Sequence, residues 1–137
     1  MIICEKNIAI LCWSCNVTLH NMDDFRHALW KLMHRREQRL MLDLQGVMYM
    51  NSAAITWLME ACRQGVGHQR RIVAAGIQSS LEVILNLAGA GAAIQLFRYR
   101  SAAIDDLRSW SVREEWRAWD DGGQRFSRAR LGSPQQS

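Results

Sequence analysis

No apolar run in this 137-residue sequence is long enough to cross a bilayer. The longest, such as Ile8 to Trp13, falls far short of the about 20 residues that a membrane helix needs. The opening Met-Ile-Ile-Cys-Glu-Lys lacks a basic segment leading into a long apolar one, so no secretory signal is expected and the chain is placed in the cytoplasm. Charge of one sign is scarce as well. The net +4 divides evenly, residues 1–107 holding 11 Lys and Arg against 9 Asp and Glu, and residues 108–137 holding 6 against 4. These basic residues scatter over expected helix ends and loops, which argues against a nucleic-acid partner. Four cysteines could in principle make a disulfide framework, but this chain has no need of one. With 49% hydrophobic residues the chain can build a core of its own, so Cys4, Cys12, Cys15 and Cys62 are expected as reduced thiols.

What is present reads as one globular domain, since the length leaves room for a single core and 22% charged residues is far from a disordered composition. Ile2–Cys4 and Ile8–Trp13 are short β-type runs, and Glu5-Lys6-Asn7 between them suits a hairpin turn. An amphipathic helix follows, with Phe25, Ala28, Leu29, Leu32 and Met33 on one stripe, Asn21 as N-cap and His34, Arg35 and Arg36 near its negative end. Leu40–Leu44 is a strand covered on both faces, and Val47–Met50 continues the extended character. Asn51 and Ser52 then open a helix over Ala53–Cys62, closed by Gly65 and Gly67. Ile72–Ala75 predicts a strand, and Ser79 with Glu82 has capping-box spacing before a helix that Gly89 ends. Ile94–Tyr99 predicts a last strand, and Ser101 a cap for a final helix holding Ile104 and Leu107. This alternation implies an α/β fold, a mostly parallel or mixed sheet covered by helices, with the N-terminal hairpin at one edge. Residues 108–120, which hold Trp110, Trp116 and Trp119, are expected to continue the last helix or to form a separate one, and 121–137 to be a flexible tail.

The segment Leu40–Glu60, LMLDLQGVMYMNSAAITWLME, resembles the most recognisable stretch of STAS domains, the family of the anti-sigma factor antagonists. There an apolar strand ending in Asp-Leu leads, through a second short strand, to an Asp-Ser-Ser-Gly-Leu type motif that opens a helix. The later AAGIQSSLEVILNLAGAGAAIQLFRYRSAAIDDL resembles the family's strand, helix, glycine, strand, helix finish, so that the likeness covers residues 2–107 and leaves 108–137 as an extension. By this resemblance Asn51 takes the place of the motif's Asp, Ser52 that of the phosphorylatable Ser, and Ala53-Ala54 that of Ser-Gly; three of the four positions depart from the pattern.

The resemblance implies a protein without catalysis, metal or cofactor of its own, acting by partner switching. Its unphosphorylated form would bind an anti-sigma factor that is a serine kinase; phosphorylation at Ser52 would release it, and a serine phosphatase would reverse the step. Asp43, Asn51, Ser52, Ala53 and Ala54 would form the partner-binding site. A second reading is a STAS accessory subunit of a bacterial ABC lipid transporter, docking without any phosphate. Taken as residues alone, Asn51 and Ser52 are helix-cap residues, and Asp43 is either the family's acidic neighbour of the site or a strand-end residue turned to solvent.

Other motifs are weaker. Cys12-Trp-Ser-Cys15 has redox-pair spacing, but the following helix starts too late to lower a thiol pKa, so a structural role is expected. Cys4 and Cys62 have no partner at zinc spacing. His20, His27 and His34 read as solvated side chains, and Gly89-Ala-Gly91 as a helix stop, since it follows a helix instead of leading into one. The late tryptophans are expected to pack on the parent domain.

Overall fold

The computed structural model describes residues 1–111. Strands β1 (Ile2–Glu5) and β2 (Ile8–Cys12) pair antiparallel through Lys6 and Asn7, both at positive φ (55° and 66°), the backbone that lets a two-residue turn follow the right-handed twist of its strands. Then come α1 (Met22–Met33), β3 (Arg39–Asp43), α2 (Ser52–Gly67), β4 (Arg71–Ala75), α3 (Ser79–Leu87), β5 (Gln95–Leu96) and α4 (Arg100–Ser109). The sheet order is β1-β2-β3-β4-β5, antiparallel at the β1 edge and parallel elsewhere.

This order decides where the helices go. Three successive crossovers step the same way along the sheet, and right-handed crossovers that step the same way lay their helices on one face. Phe25, Leu29 and Leu32 of α1, Ala54, Ile55 and Leu58 of α2, and Leu81 and Leu85 of α3 share one core with Ala9, Leu11, Leu40, Leu42 and Ala74 of the sheet. The alternate residues Ile8, Ile10, Met41, Val73 and Ala75 face the opposite side, under Ala103, Ile104 and Leu107 of α4. Because β3 is covered on both faces, Leu40, Met41 and Leu42 are fully buried, each contributing about 1.5–3 kcal/mol.

Several local expectations are corrected. The strand expected over Ile94–Tyr99 shrinks to two residues, because its neighbour β4 ends at Ala75 and the chain turns away at Gly76 (φ +70°). Gly65 does not end α2, which runs on to Gly67; a Cβ on Gly65 would stand 3.1 Å from Ile72 Cδ1, so this glycine lets the helix lie close to β4. Asn21 precedes α1 as expected, but its side-chain Oδ1 accepts from Thr18 N at 2.8 Å instead of capping the helix. The Ser79–Glu82 capping box is absent: Gln78 holds the cap position, and Arg98 takes both side chains, donating to Ser79 Oγ at 3.3 Å and facing Glu82 at 3.6 Å. Ser101 lies inside α4, which starts at Arg100. Gly89 adopts the left-handed conformation (φ +81°) just after α3, as a helix stop requires. The expectations for the C-terminal extension lie outside the described residues beyond Ser111.

Between α1 and β3, Arg35 grips Glu37 with two hydrogen bonds, Nε to Oε1 at 3.1 Å and the terminal nitrogen to Oε2 at 2.9 Å. The hydrogen bond from Arg35 lowers the Glu37 pKa from 4.5 to about 2. A carboxylate depressed by folding stabilises fully above its unfolded pKa, and that contribution fades as pH falls toward the folded value. The stability difference between wild type and Glu37→Gln is therefore expected to be constant above about pH 5 and to close between pH 4.5 and 2, as read by urea unfolding across pH. A difference that does not change with pH would show that this pair does not form.

Candidate functional site

The site is built by strand register. Cys12, Asp43 and Ala75 are aligned across β2, β3 and β4, so three loops leave the sheet at one level, the carboxyl edge where open α/β sheets present binding surface. Asp43 ends β3 and is only 8% exposed, which corrects the reading that turned it to solvent. The edge folds over it. Its Oδ1 accepts from Gln45 N at 3.1 Å, and its Oδ2 faces Arg100 Nε at 3.7 Å. Gly76 closes the other side, where a Cβ would stand 2.8 Å from both Asp43 Oδ1 and Gln45 N.

After β3 the chain does not form the extended strand expected over Val47–Met50; a single parallel bridge joins Val17 to Met50. Val17 N donates to Tyr49 O and Asn51 N donates to Val17 O, each at 3.0 Å. Val47 and Met50 are buried, leaving Met48 and Tyr49 nearly half exposed. Of the two residues expected as helix caps, Asn51 fills the role, its Oδ1 accepting from Ala54 N at 2.9 Å, and Ser52 does not. Ser52 is the first residue of the helix, with its side chain at the surface, while its carbonyl accepts from Thr56 Oγ1 at 3.0 Å. Of the remaining site residues, Asn51 and Ala53 are half-buried and Ala54 is fully buried. Ser52 is thus the exposed member of the set, and the corner around it includes Met48 and Tyr49, which sequence reasoning left out. Val47-Met-Tyr-Met50 is apolar throughout, so no periodicity in the sequence marks which two of the four face outward.

A cleft of about 600 Å³ opens beside this corner, its walls including Met48, Ser80, Arg98 and Arg100. All four thiols are free. Cys12 is half-buried and receives Arg100 at 3.8 Å, whereas Cys15 is exposed and receives Asn21 Nδ2 at 3.6 Å. Burial pushes the Cys62 thiol up to about 12. His27 and His34 are exposed but lean on Trp30, with ring centroids 6.1 and 4.0 Å away. Among the described residues no group of three or more His, Cys, Asp or Glu is placed to hold a metal ion, and no helix is long and apolar enough to cross a membrane.

The STAS domain family matches residues 2–103. The chain belongs to that family. No curated protein matches the sequence. Solved structures similar to this STAS domain include an anti-sigma factor antagonist from Mycobacterium paratuberculosis, 13% identical, with a TM-score of 0.72 over 80% of this chain and 92% of that one. The STAS domain of a SulP transporter from Vibrio cholerae is 17% identical, with a TM-score of 0.58 over 77% and 88% of the two chains. The anti-sigma factor antagonist SpoIIAA, in its unphosphorylated form, is 9% identical, with a TM-score of 0.60 over 80% and 98%. At these identities the likeness establishes the fold, which among the described residues is a mixed five-stranded sheet with four α-helices.

Two outcomes follow for this STAS domain. Asn51→Ala removes the acceptor for Ala54 N and is expected to cost about 1 kcal/mol in denaturant unfolding, whereas Asn51→Asp should cost little. Iodoacetamide at pH 8 should label Cys4 and Cys15 in the native protein and spare Cys62 until it unfolds, as peptide mass mapping would detect.

Proposed function

We propose that this chain is a cytoplasmic anti-sigma factor antagonist that works by partner switching, without catalysis of its own. In its unmodified form it binds a serine-kinase-type anti-sigma factor. The kinase transfers the γ-phosphoryl group of ATP to the Ser52 hydroxyl, whose proton leaves to the kinase's base as ADP departs, and a serine phosphatase restores the hydroxyl. The observation that carries this reading is the exposure of Ser52 at the first position of α2, on the carboxyl edge of the sheet, with the helix cap supplied by a different residue, Asn51.

The division of labour matters. With Asn51 capping, the Ser52 hydroxyl is not needed to hold the helix start and is free to be modified while α2 stays intact. A phosphate here adds about −1.5 to −2 charges, which the positive end of a helix dipole favours in the free protein. The same charge inside a close-packed interface would be desolvated without a partner, so it separates the complex while sparing the fold. The departures from the family motif are compatible with this. Asn caps as well as Asp, and Ala54, where the motif has Gly, suits a helix better than Gly by about 1 kcal/mol.

The test measures binding by calorimetry and phosphate incorporation from ATP and Mg²⁺, using the kinase-type anti-sigma factor of the same cell. Ser52→Ala is expected to bind like wild type and to take up no phosphate, while Ser52→Asp and Ser52→Glu bind at least about tenfold more weakly, or about 1.4 kcal/mol. Replacing both Cys12 and Cys15 by Ser should leave binding unchanged. If Ser52→Ala still incorporates phosphate, or Ser52→Asp binds as tightly as wild type, partner switching fails. The phosphate-independent transporter accessory subunit then becomes the better account.

A further inference from the structure

We propose that Asn16 is a positioning residue for the Ser52 corner, acting through its side-chain carbonyl on the backbone of residues 48–51. The proposal rests on the reading of Ser52 as the phosphate acceptor.

The segment between β3 and α2 has a single β-bridge to hold it. Asn16 makes up the shortfall. Its Oδ1 accepts from Met48 N at 2.7 Å and from Tyr49 N at 3.2 Å, and the neighbouring Val17 adds its pair of bonds to Tyr49 and Asn51. Two successive residues of the loop after β2 thereby take four backbone groups within residues 48–51. Beyond them, Asn51 passes the constraint to Ala54 N and so to the first turn of α2, which begins with Ser52.

Asn16 is itself held. Its carbonyl accepts from Asn21 Nδ2 at 2.8 Å, and Asn21 Oδ1 accepts from Thr18 N. The loop therefore has a shape before it meets residues 48–51, and it can impose that shape. The residue is exposed, so its side chain serves no core packing. The task also selects the residue type: two converging N–H donors need one oxygen with two lone pairs at this reach, which Asn or Asp supplies and Ala or Leu does not. Phosphoryl transfer needs the hydroxyl in line with the phosphate, and a misplacement of about 1 Å can cost on the order of a hundredfold in rate.

The experiment compares Asn16→Ala, Asn16→Leu and Asn16→Asp with wild type, using amide hydrogen exchange resolved by residue and the rate of phosphate incorporation with the same kinase. Loss of the acceptor is expected to speed exchange at Met48 and Tyr49 by about fivefold, the worth of one lost hydrogen bond, and to speed it measurably at Ala54, which Asn16 does not touch. Phosphate incorporation should drop by about tenfold or more while the thermal midpoint moves by only a few degrees. Asn16→Asp, which keeps the oxygen, should restore the exchange at all three amides. Unchanged exchange at Ala54 in both Ala and Leu variants, or a failure of Asp to restore it, overturns the proposal. If the exchange pattern is as expected but wild type takes up no phosphate, positioning by Asn16 stands and the acceptor reading of Ser52 falls.

Discussion

The in-register parallel pairing of β2, β3 and β4 is the constraint from which the site follows. Because Ile8, Arg39 and Arg71 begin the ladder together and Cys12, Asp43 and Ala75 end it together, the loops that follow start at one level and meet each other instead of solvent. A slip of one residue would turn Leu40 and Leu42 to the α4 face and Met41 toward α1 and α2, exchanging the contents of two cores. Burial on both faces therefore fixes the register, and the register fixes where Ser52 emerges.

At that edge, polar groups take over where strand pairing runs out. Asp43 receives Gln45 N, Asn16 receives Met48 N and Tyr49 N, and Asn51 receives Ala54 N. Each is a side-chain oxygen accepting a backbone N–H, so the backbone turns away from the sheet without leaving donors unpaired. Gly76 belongs to the same arrangement, since its space beside Asp43 cannot hold a side chain. The result is a fixed corner with the Ser52 side chain exposed at the start of a capped helix, a few residues from the half-exposed Met48 and Tyr49.

Much of the fold was legible because the periodicities were strong. The stripe of α1, the doubly buried run of β3 and the alternation of elements required a mostly parallel sheet, and the STAS likeness over Leu40–Glu60 pointed to Asn51 and Ser52. Local signals misled where tertiary contacts competed for the same atoms. Ser79 and Glu82 have the spacing of a capping box, yet Arg98 engages both; Gly65 has the look of a helix stop, yet it serves the close approach of Ile72.

By itself the sequence determined the order of the main helices and strands and that α2 opens at Asn51-Ser52, because these depend on neighbours within a few positions. Tertiary structure alone decided that Asp43 is buried, that Met48 and Tyr49 are exposed beside Ser52, and that Asn16 braces them. Asn16 is more than 30 residues from the backbone it holds, and no periodicity or short-range motif records a hydrogen bond across that separation. It exists because parallel strands in register bring two loop starts to the same edge of the sheet.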